Sequence, residues 1–320
     1  MNAISIEKNF IDSKIIDLPM PSLKDGQTLI KVKVVGICQS DIARVFNQSA
    51  YYYPIILGHE FSGVTTHYEN KATVFPIMPC MNCDECKNEN YAQCKNYSYY
   101  GSRQNGGMQE YIAINDWNLI YNHNLDCEEL ALIEPSAVAM NACNKVGEDS
   151  ESILINGCGF IALVAAQILL SKKKKVYIRN RNEQKLKFSL DNFDLTEYVG
   201  QPIDCAIDFV SISESMNYII EAIKPHGKII SVGNPFGEVV FEKKNYSNIL
   251  RKEIEIRGIW NSKRNDWNDV MGLISDKQID VKRLITHRYD YKDFKKAFEK
   301  IRENQIKHNE LIIKSILLFD

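Results

Sequence analysis

SILINGCGFIALVAAQILLS, residues 152–171, passes from a short strand-forming run through two glycines into a long apolar stretch. Read as strand, tight turn and helix, it carries G-x-G-x-x-A at Gly157, Gly159 and Ala162, where a dinucleotide fingerprint belongs. Gly157 permits the turn. Gly159 lets the backbone approach a pyrophosphate, which then sits at the helix N-terminus beside Phe160 and Ile161. Any tight strand-to-helix turn can use two glycines, so the surroundings decide. Between about residues 150 and 280, short apolar strands alternate with helical patterns: KVYIR (175–179), CAIDFV (205–210), GKIISVG (227–233) and IEIRGIW (254–260) with ESMNYIIEAI (214–223) and WNDVMGLISD (267–276). That alternation predicts a parallel sheet with crossover helices, an α/β doubly wound domain.

Outward from this region the texture changes. Residues 1 to about 115 hold alternating runs such as TLIKVKVVGI (28–37), the pattern of half-buried strands. The last forty residues read as a helix, 291–304, and a closing apolar strand, 310–319. The chain has 320 residues, 45% apolar and 25% charged, enough for two packed domains. A net charge of −2 supplies no basic field for nucleic acid. No apolar run approaches the roughly 20 residues that span a bilayer, and MNAISIEKNF lacks a signal layout. The expected location is cytoplasmic, where clustered cysteines are metal ligands rather than disulfides.

The second strand ends in Arg179-Asn180-Arg181, with no carboxylate to take a ribose 2′-hydroxyl. Arginines there suit a 2′-phosphate and favour NADP(H) over NAD(H), although two arginines on a solvated loop would look the same.

Two sets of residues point to metal. Cys80, Cys83, Cys86 and Cys94 lie in PCMNCDECKNENYAQC, spaced for a closed site of four thiolates, that is, a structural zinc. Cys38, His59 and Glu134, in GICQSD, GHEF and IEP, together supply the mixed ligand set of an open catalytic zinc. Singly, each has a plainer explanation: a small buried hydrophobe, a satisfied core histidine, a helix N-terminal charge.

G-x-C-x-S-D, G-H-E, the four-cysteine loop, the late E-P and the Gly157 turn occur in one order over nearly the whole chain. In that order the chain resembles the zinc-dependent medium-chain alcohol and polyol dehydrogenases. ARVFNQSAYYYPIILGHEFSG, YGSRQNGGMQEYI and NILRKEIEIRGIW carry a narrower likeness to its polyol-phosphate enzymes. The resemblance implies a GroES-like β-barrel catalytic domain (1–140, completed by 281–320) and a Rossmann domain (141–280). It implies two zinc ions per chain: one held by Cys38, His59 and Glu134, with Glu60 as an alternating ligand, and one held by the four cysteines. Ser40 would relay the proton, and Asp41 would orient the ligands. Backbone near Val210, Gly233 and Ile259 would frame the nicotinamide. The chain departs from the family pattern in being short between Gly63 and Pro79 and between Asn192 and Pro202, and in having Ala162 as the third fingerprint residue.

The expected chemistry is reversible hydride transfer between NADP(H) and a sugar or polyol phosphate, running as reduction of a ketose phosphate. Arg103 and Arg44 are candidate phosphate anchors, and Tyr51 a candidate wall of the polyol pocket. The alternatives are NAD-dependent oxidation of a polyol phosphate, oxidation of an unphosphorylated polyol or alcohol, and a non-catalytic zinc- and nucleotide-binding regulator. A homodimer or homotetramer is expected.

Overall fold

The structure, a computed structural model, describes every residue except Phe236 and Asp320. The chain divides into two compact units. One comprises Met1–Pro135, Lys263–Trp267 and the chain from Val281 on; the other comprises Ser136–Ser262 and Asn268–Asp280.

The second unit is built around a six-stranded parallel sheet. Across the sheet run Thr196–Glu197, Lys175–Arg179, Ser152–Asn156, Ile203–Asp208, Ile223–Ser231 and Glu255–Gly258. Numbered along the unit, that is the order 3-2-1-4-5-6 of a Rossmann sheet, with its switch point beside Ser152–Asn156. Ile153, Leu154 and Ile155 are fully buried, so this strand has an uninterrupted apolar run. The helix Phe160–Ser171 has buried residues all round, from Phe160 to Leu169, as a helix enclosed in the core requires. Asn192–Pro202, short in sequence, leaves the third strand only two residues long.

The first unit is organised by the long strand Gln27–Ile37. It pairs antiparallel with Glu60–Thr65, Tyr111–Asn115 and Lys314–Leu318 within a seven-stranded sheet. Residues from near both ends of the chain therefore share one sheet. Helix Phe294–Lys307 buries Phe294, Ala297, Phe298 and Ile301, an i, i+3, i+4, i+7 stripe against the core. A smaller two-stranded sheet, Ile77–Met78 with Ser98–Tyr99, flanks the cysteine loop. Among the described residues no helix is long and apolar enough to cross a membrane.

Candidate active site

Cys38 caps the helix Gln39–Phe46, and His59 directly precedes the strand that Glu60 opens. These connections bring Cys38 Sγ, a His59 ring nitrogen and a Glu60 carboxylate oxygen within 4.8 Å of one another. Glu134, in the first turn of Ile133–Cys143, is buried beside them and accepts a hydrogen bond from Tyr99 Oη at 3.0 Å. The tight trio therefore contains Glu60, while Glu134 stands one step away. Lys314, buried on the last strand, donates to Glu60 Oε2 and to the Ile37 carbonyl at 3.3 Å. Gly36 makes that pairing possible: a Cβ there would lie 2.2 Å from Glu60 Oε2.

Burial acts first on the titratable groups of this cluster. Burial pushes the Glu134 carboxyl up to about 7, against the pull of His59 and with a further push from Glu60. Burial would lower His59, but Asp41 and Cys38 outweigh it and raise the imidazole well above its usual range. Asp41, itself fully buried, stays below the usual carboxylate range because His59 and Arg44 overcome its desolvation. His59 Nδ1 lies 3.5 Å from Asp41 Oδ1, close enough for charge attraction, yet makes no hydrogen bond. A thiol, an imidazole with an unsatisfied buried nitrogen and two buried carboxyls, only one of them paired with Lys314, fit a divalent cation, which would ionise the donors it meets.

The second cluster fits zinc more tightly. The four Sγ atoms of Cys80, Cys83, Cys86 and Cys94 lie within 4.8 Å of one another, with Cys80–Cys86 at 3.9 Å and Cys83–Cys86 at 3.5 Å. Tetrahedral zinc with Zn–S near 2.3 Å needs Sγ separations of about 3.8 Å. Backbone N–H groups of Asn82 and Cys83 pull the Cys80 thiol down to about 6, toward the thiolate that binds metal. Four thiolates leave no open position.

In the Rossmann unit, Gly157 has φ +117°, a left-handed conformation that glycine tolerates. Its N–H donates to the Arg179 carbonyl at 2.8 Å, tying the turn to the second strand. Gly159 caps the helix, and a Cβ there would meet nothing within 4 Å. Internal packing therefore gives no reason for glycine at 159, which leaves room for something outside the chain. Phe160 is buried and Ile161 half-buried in the helix's first turn. Arg179, Asn180, Arg181 and Val210 line one recess, as expected from sequence; Asn156, Ile212, Glu214 and Ser215 complete it. Gly233 packs against Phe209, where a Cβ would lie 2.8 Å from backbone, and Ile259 N–H bonds to the Ser231 carbonyl at 3.0 Å. Both lie outside the recess, beyond the ends of the fifth and sixth strands. Glu214 escapes motif reading because it belongs to a different β/α unit from the arginines.

The candidate substrate residues divide. Arg44 Nη1 donates to Ser40 Oγ at 2.8 Å and Asp41 Oδ1 at 3.1 Å, and Nη2 donates to Ser102 Oγ at 3.3 Å. Its guanidinium is thus engaged with the ligand-bearing helix. Arg103 lies over the Tyr97 ring at 4.1 Å and the Tyr51 ring at 5.1 Å, and donates to the Tyr97 carbonyl at 2.8 Å. Tyr51 is exposed beside it.

Comparison with known proteins matches these two architectures. The alcohol dehydrogenase GroES-like domain family matches residues 24–123, and the zinc-binding dehydrogenase family matches residues 161–276. The chain belongs to the zinc-dependent medium-chain dehydrogenases. It is therefore an oxidoreductase of the alcohol dehydrogenase type. It is 26% identical to the galactitol 1-phosphate 5-dehydrogenase of Escherichia coli, over 94% of this chain and 96% of that protein. It is 27% identical to the D-arabitol-phosphate dehydrogenase of Enterococcus avium, over 91% of this chain and 92% of that one. The crystal structure of galactitol-1-phosphate dehydrogenase from E. coli superposes with a TM-score of 0.91, covering 100% of both chains at 25% identity.

Proposed function

We propose that this dehydrogenase interconverts a ketose phosphate and a polyol phosphate by reversible hydride transfer with NADP(H), running as a reduction. The observation that carries the chemistry is the cluster of a half-buried Cys38 with buried His59, Glu60 and Glu134, Cys38 standing two residues along the chain from a hydroxyl anchored by a guanidinium. Cys38, His59 and Glu134 would hold zinc, with Glu60 able to replace Glu134. Zinc bound there supplies Lewis-acid polarisation of a substrate oxygen. Ser40 Oγ accepts from Arg44, so its own O–H is free to pass a proton to or from that oxygen. Asp41 accepts from Cys38 N–H at 3.1 Å and faces His59, which orients both donors. The four cysteines would hold the structural zinc.

For the cofactor, the N-terminus of Phe160–Ser171 would take the pyrophosphate over Gly157 and Gly159, beside Phe160 and Ile161. Arg179, Asn180 and Arg181 would take the 2′-phosphate, and Val210, Gly233 and Ile259 would frame the nicotinamide. The relatives named for galactitol 1-phosphate and D-arabitol phosphate support a phosphorylated polyol. Arg103, with Tyr51, is the better anchor for that phosphate, because Arg44 is ion-paired with Asp41, whereas the bonds of Arg103 run to the neutral Tyr97 carbonyl and Tyr51 hydroxyl. We also place the protein in the cytoplasm, where the clustered thiols of Cys80, Cys83, Cys86 and Cys94 would stay reduced for metal. A homodimer or homotetramer is favoured by the edge strand Glu255–Gly258 and the exposed Ile256 and Trp260.

NAD-dependent oxidation is the second reading. One observation favours it: Glu214 already faces both Arg179 and Arg181. Assay of ketose 5- and 6-phosphates with NADPH and NADH tests the choice. Turnover of a ketose phosphate with a clear NADPH preference supports the first reading. Turnover only of unphosphorylated substrates contradicts it.

A further inference from the structure

The recess in the Rossmann unit holds an anion of its own. Glu214 Oε1 lies 4.0 Å from Arg179 Nη2, and Glu214 Oε2 lies 3.8 Å from Arg181 Nη1. One carboxylate thus faces two guanidiniums across the mouth of the sheet. Both separations exceed the roughly 2.7–2.9 Å of a charge-assisted hydrogen bond, so the contact is loose. The Glu214 side chain is 63% exposed, which lets it leave without a burial penalty.

Arg179 does not depend on Glu214 for its place. Its Nη1 donates to Asn156 Oδ1 at 3.2 Å, and its guanidinium lies 4.0 Å from the centre of the Tyr218 ring. Asn156 in turn donates to Asp208 Oδ1 at 2.7 Å. Asp208 is fully buried and also accepts from the backbone N–H groups of Val210 and Ser211, which fixes the wall of the recess. The cation is therefore preorganised and the anion opposite it is only loosely held. Glu214 lies in the first turn of Ser213–Ala222, where an acid is favoured by the helix dipole. That explains an acid at this position, but not why its carboxylate faces both arginines.

We propose that Glu214 is a specificity-determining residue: its carboxylate occupies the anion position between Arg179 and Arg181 and weakens selection for a cofactor 2′-phosphate. A 2′-phosphate must displace or repel this carboxylate, whereas a bare ribose leaves both ion pairs in place. The inference rests on the reading of Arg179–Arg181 as the 2′-phosphate site.

The test is the dissociation constant of the full-length enzyme for NADPH, NADH, 2′,5′-ADP and 5′-AMP, in wild type, Glu214→Gln and Glu214→Asp. Two loose, exposed ion pairs imply that Glu214→Gln tightens NADPH and 2′,5′-ADP by about three- to tenfold. NADH and 5′-AMP should change by less than about twofold, and the gain should shrink in high salt. Glu214→Asp keeps the helix-dipole charge but withdraws the carboxylate, so it should fall between the other two proteins. An unchanged NADPH-to-NADH ratio in Glu214→Gln, or equal shifts for both cofactors, overturns the inference. If wild type prefers NADH but Glu214→Gln moves the ratio toward NADPH, the proposed cofactor preference fails and the role of Glu214 stands. If wild type prefers NADPH and the ratio does not move, the reverse holds.

Discussion

Arg44 shows how a single side chain acquires a role from its contacts. In sequence it is one arginine in an amphipathic helix near G-x-C-x-S-D, and a phosphate anchor is a fair expectation. In the structure its guanidinium contacts Ser40, Asp41 and Ser102. Replacing it should loosen the Ser40 hydroxyl, proposed to carry the proton, more than it weakens substrate binding. Arg44→Ala is expected to lower kcat by about 10²-fold with KM changed by less than about threefold, and Arg44→Lys should recover part of the loss. A rise in KM at constant kcat, read from steady-state kinetics, would return Arg44 to the role of substrate anchor. Cys38, His59 and Glu134 were legible as candidate ligands only in combination, since each alone has a plainer use. Lys314 and Tyr99 were not: each is an ordinary residue in a strand pattern, made significant only by what the sheet sets beside it. Gly36 belongs with them, since only the fold shows Glu60 and Lys314 crossing the place of its missing Cβ.

At the scale of elements, the strand Ser152–Asn156, its glycine turn and the helix Phe160–Ser171 were readable to the residue. The strand is apolar throughout, the turn needs a positive φ, and the helix is buried on every side. Expectations were less sharp where tertiary pairing sets the end of an element. The last strand runs Lys314–Leu318 within the apolar run 310–319, because pairing with Gln27–Ile37 defines it rather than hydrophobicity. Asp204 gives this scale its prediction. It accepts hydrogen bonds from Ser152 N and Oγ and from Glu151 N, and pairs with Lys224 at 2.7 Å, which ties the beginnings of three parallel strands together. Burial would raise its carboxyl, but the Lys224 and Ser152 bonds overcome this and hold it well below the usual range. A depressed folded-state value contributes stability above the unfolded pKa of about 3.9 and loses it as pH falls. Asp204→Asn should therefore cost about 1–3 kcal/mol in urea unfolding at pH 7. The gap to wild type should narrow as pH drops below about 4. A gap that stays constant from pH 7 to pH 3 would mean that the charge plays no part.

For the molecule as a whole, the two units divide the chemistry that the family requires. One gathers thiol, imidazole and carboxylates in one cluster; the other offers a glycine turn, a helix N-terminus and a preorganised arginine. The first unit needs both ends of the chain: Lys314 on the closing strand reaches Glu60, which lies more than two hundred residues earlier. The four-cysteine loop would be separate in kind, since four thiolates around a metal would leave no open position for substrate. The most direct test of this account is zinc content measured together with NADPH-dependent ketose phosphate turnover in wild type, Cys38→Ser and Cys86→Ser. The account predicts about two zinc ions in wild type and about one in a folded, inactive Cys38→Ser protein. It also predicts a lowered thermal midpoint for Cys86→Ser as its structural zinc is lost. A Cys38→Ser protein that keeps both zinc ions and wild-type turnover would contradict it.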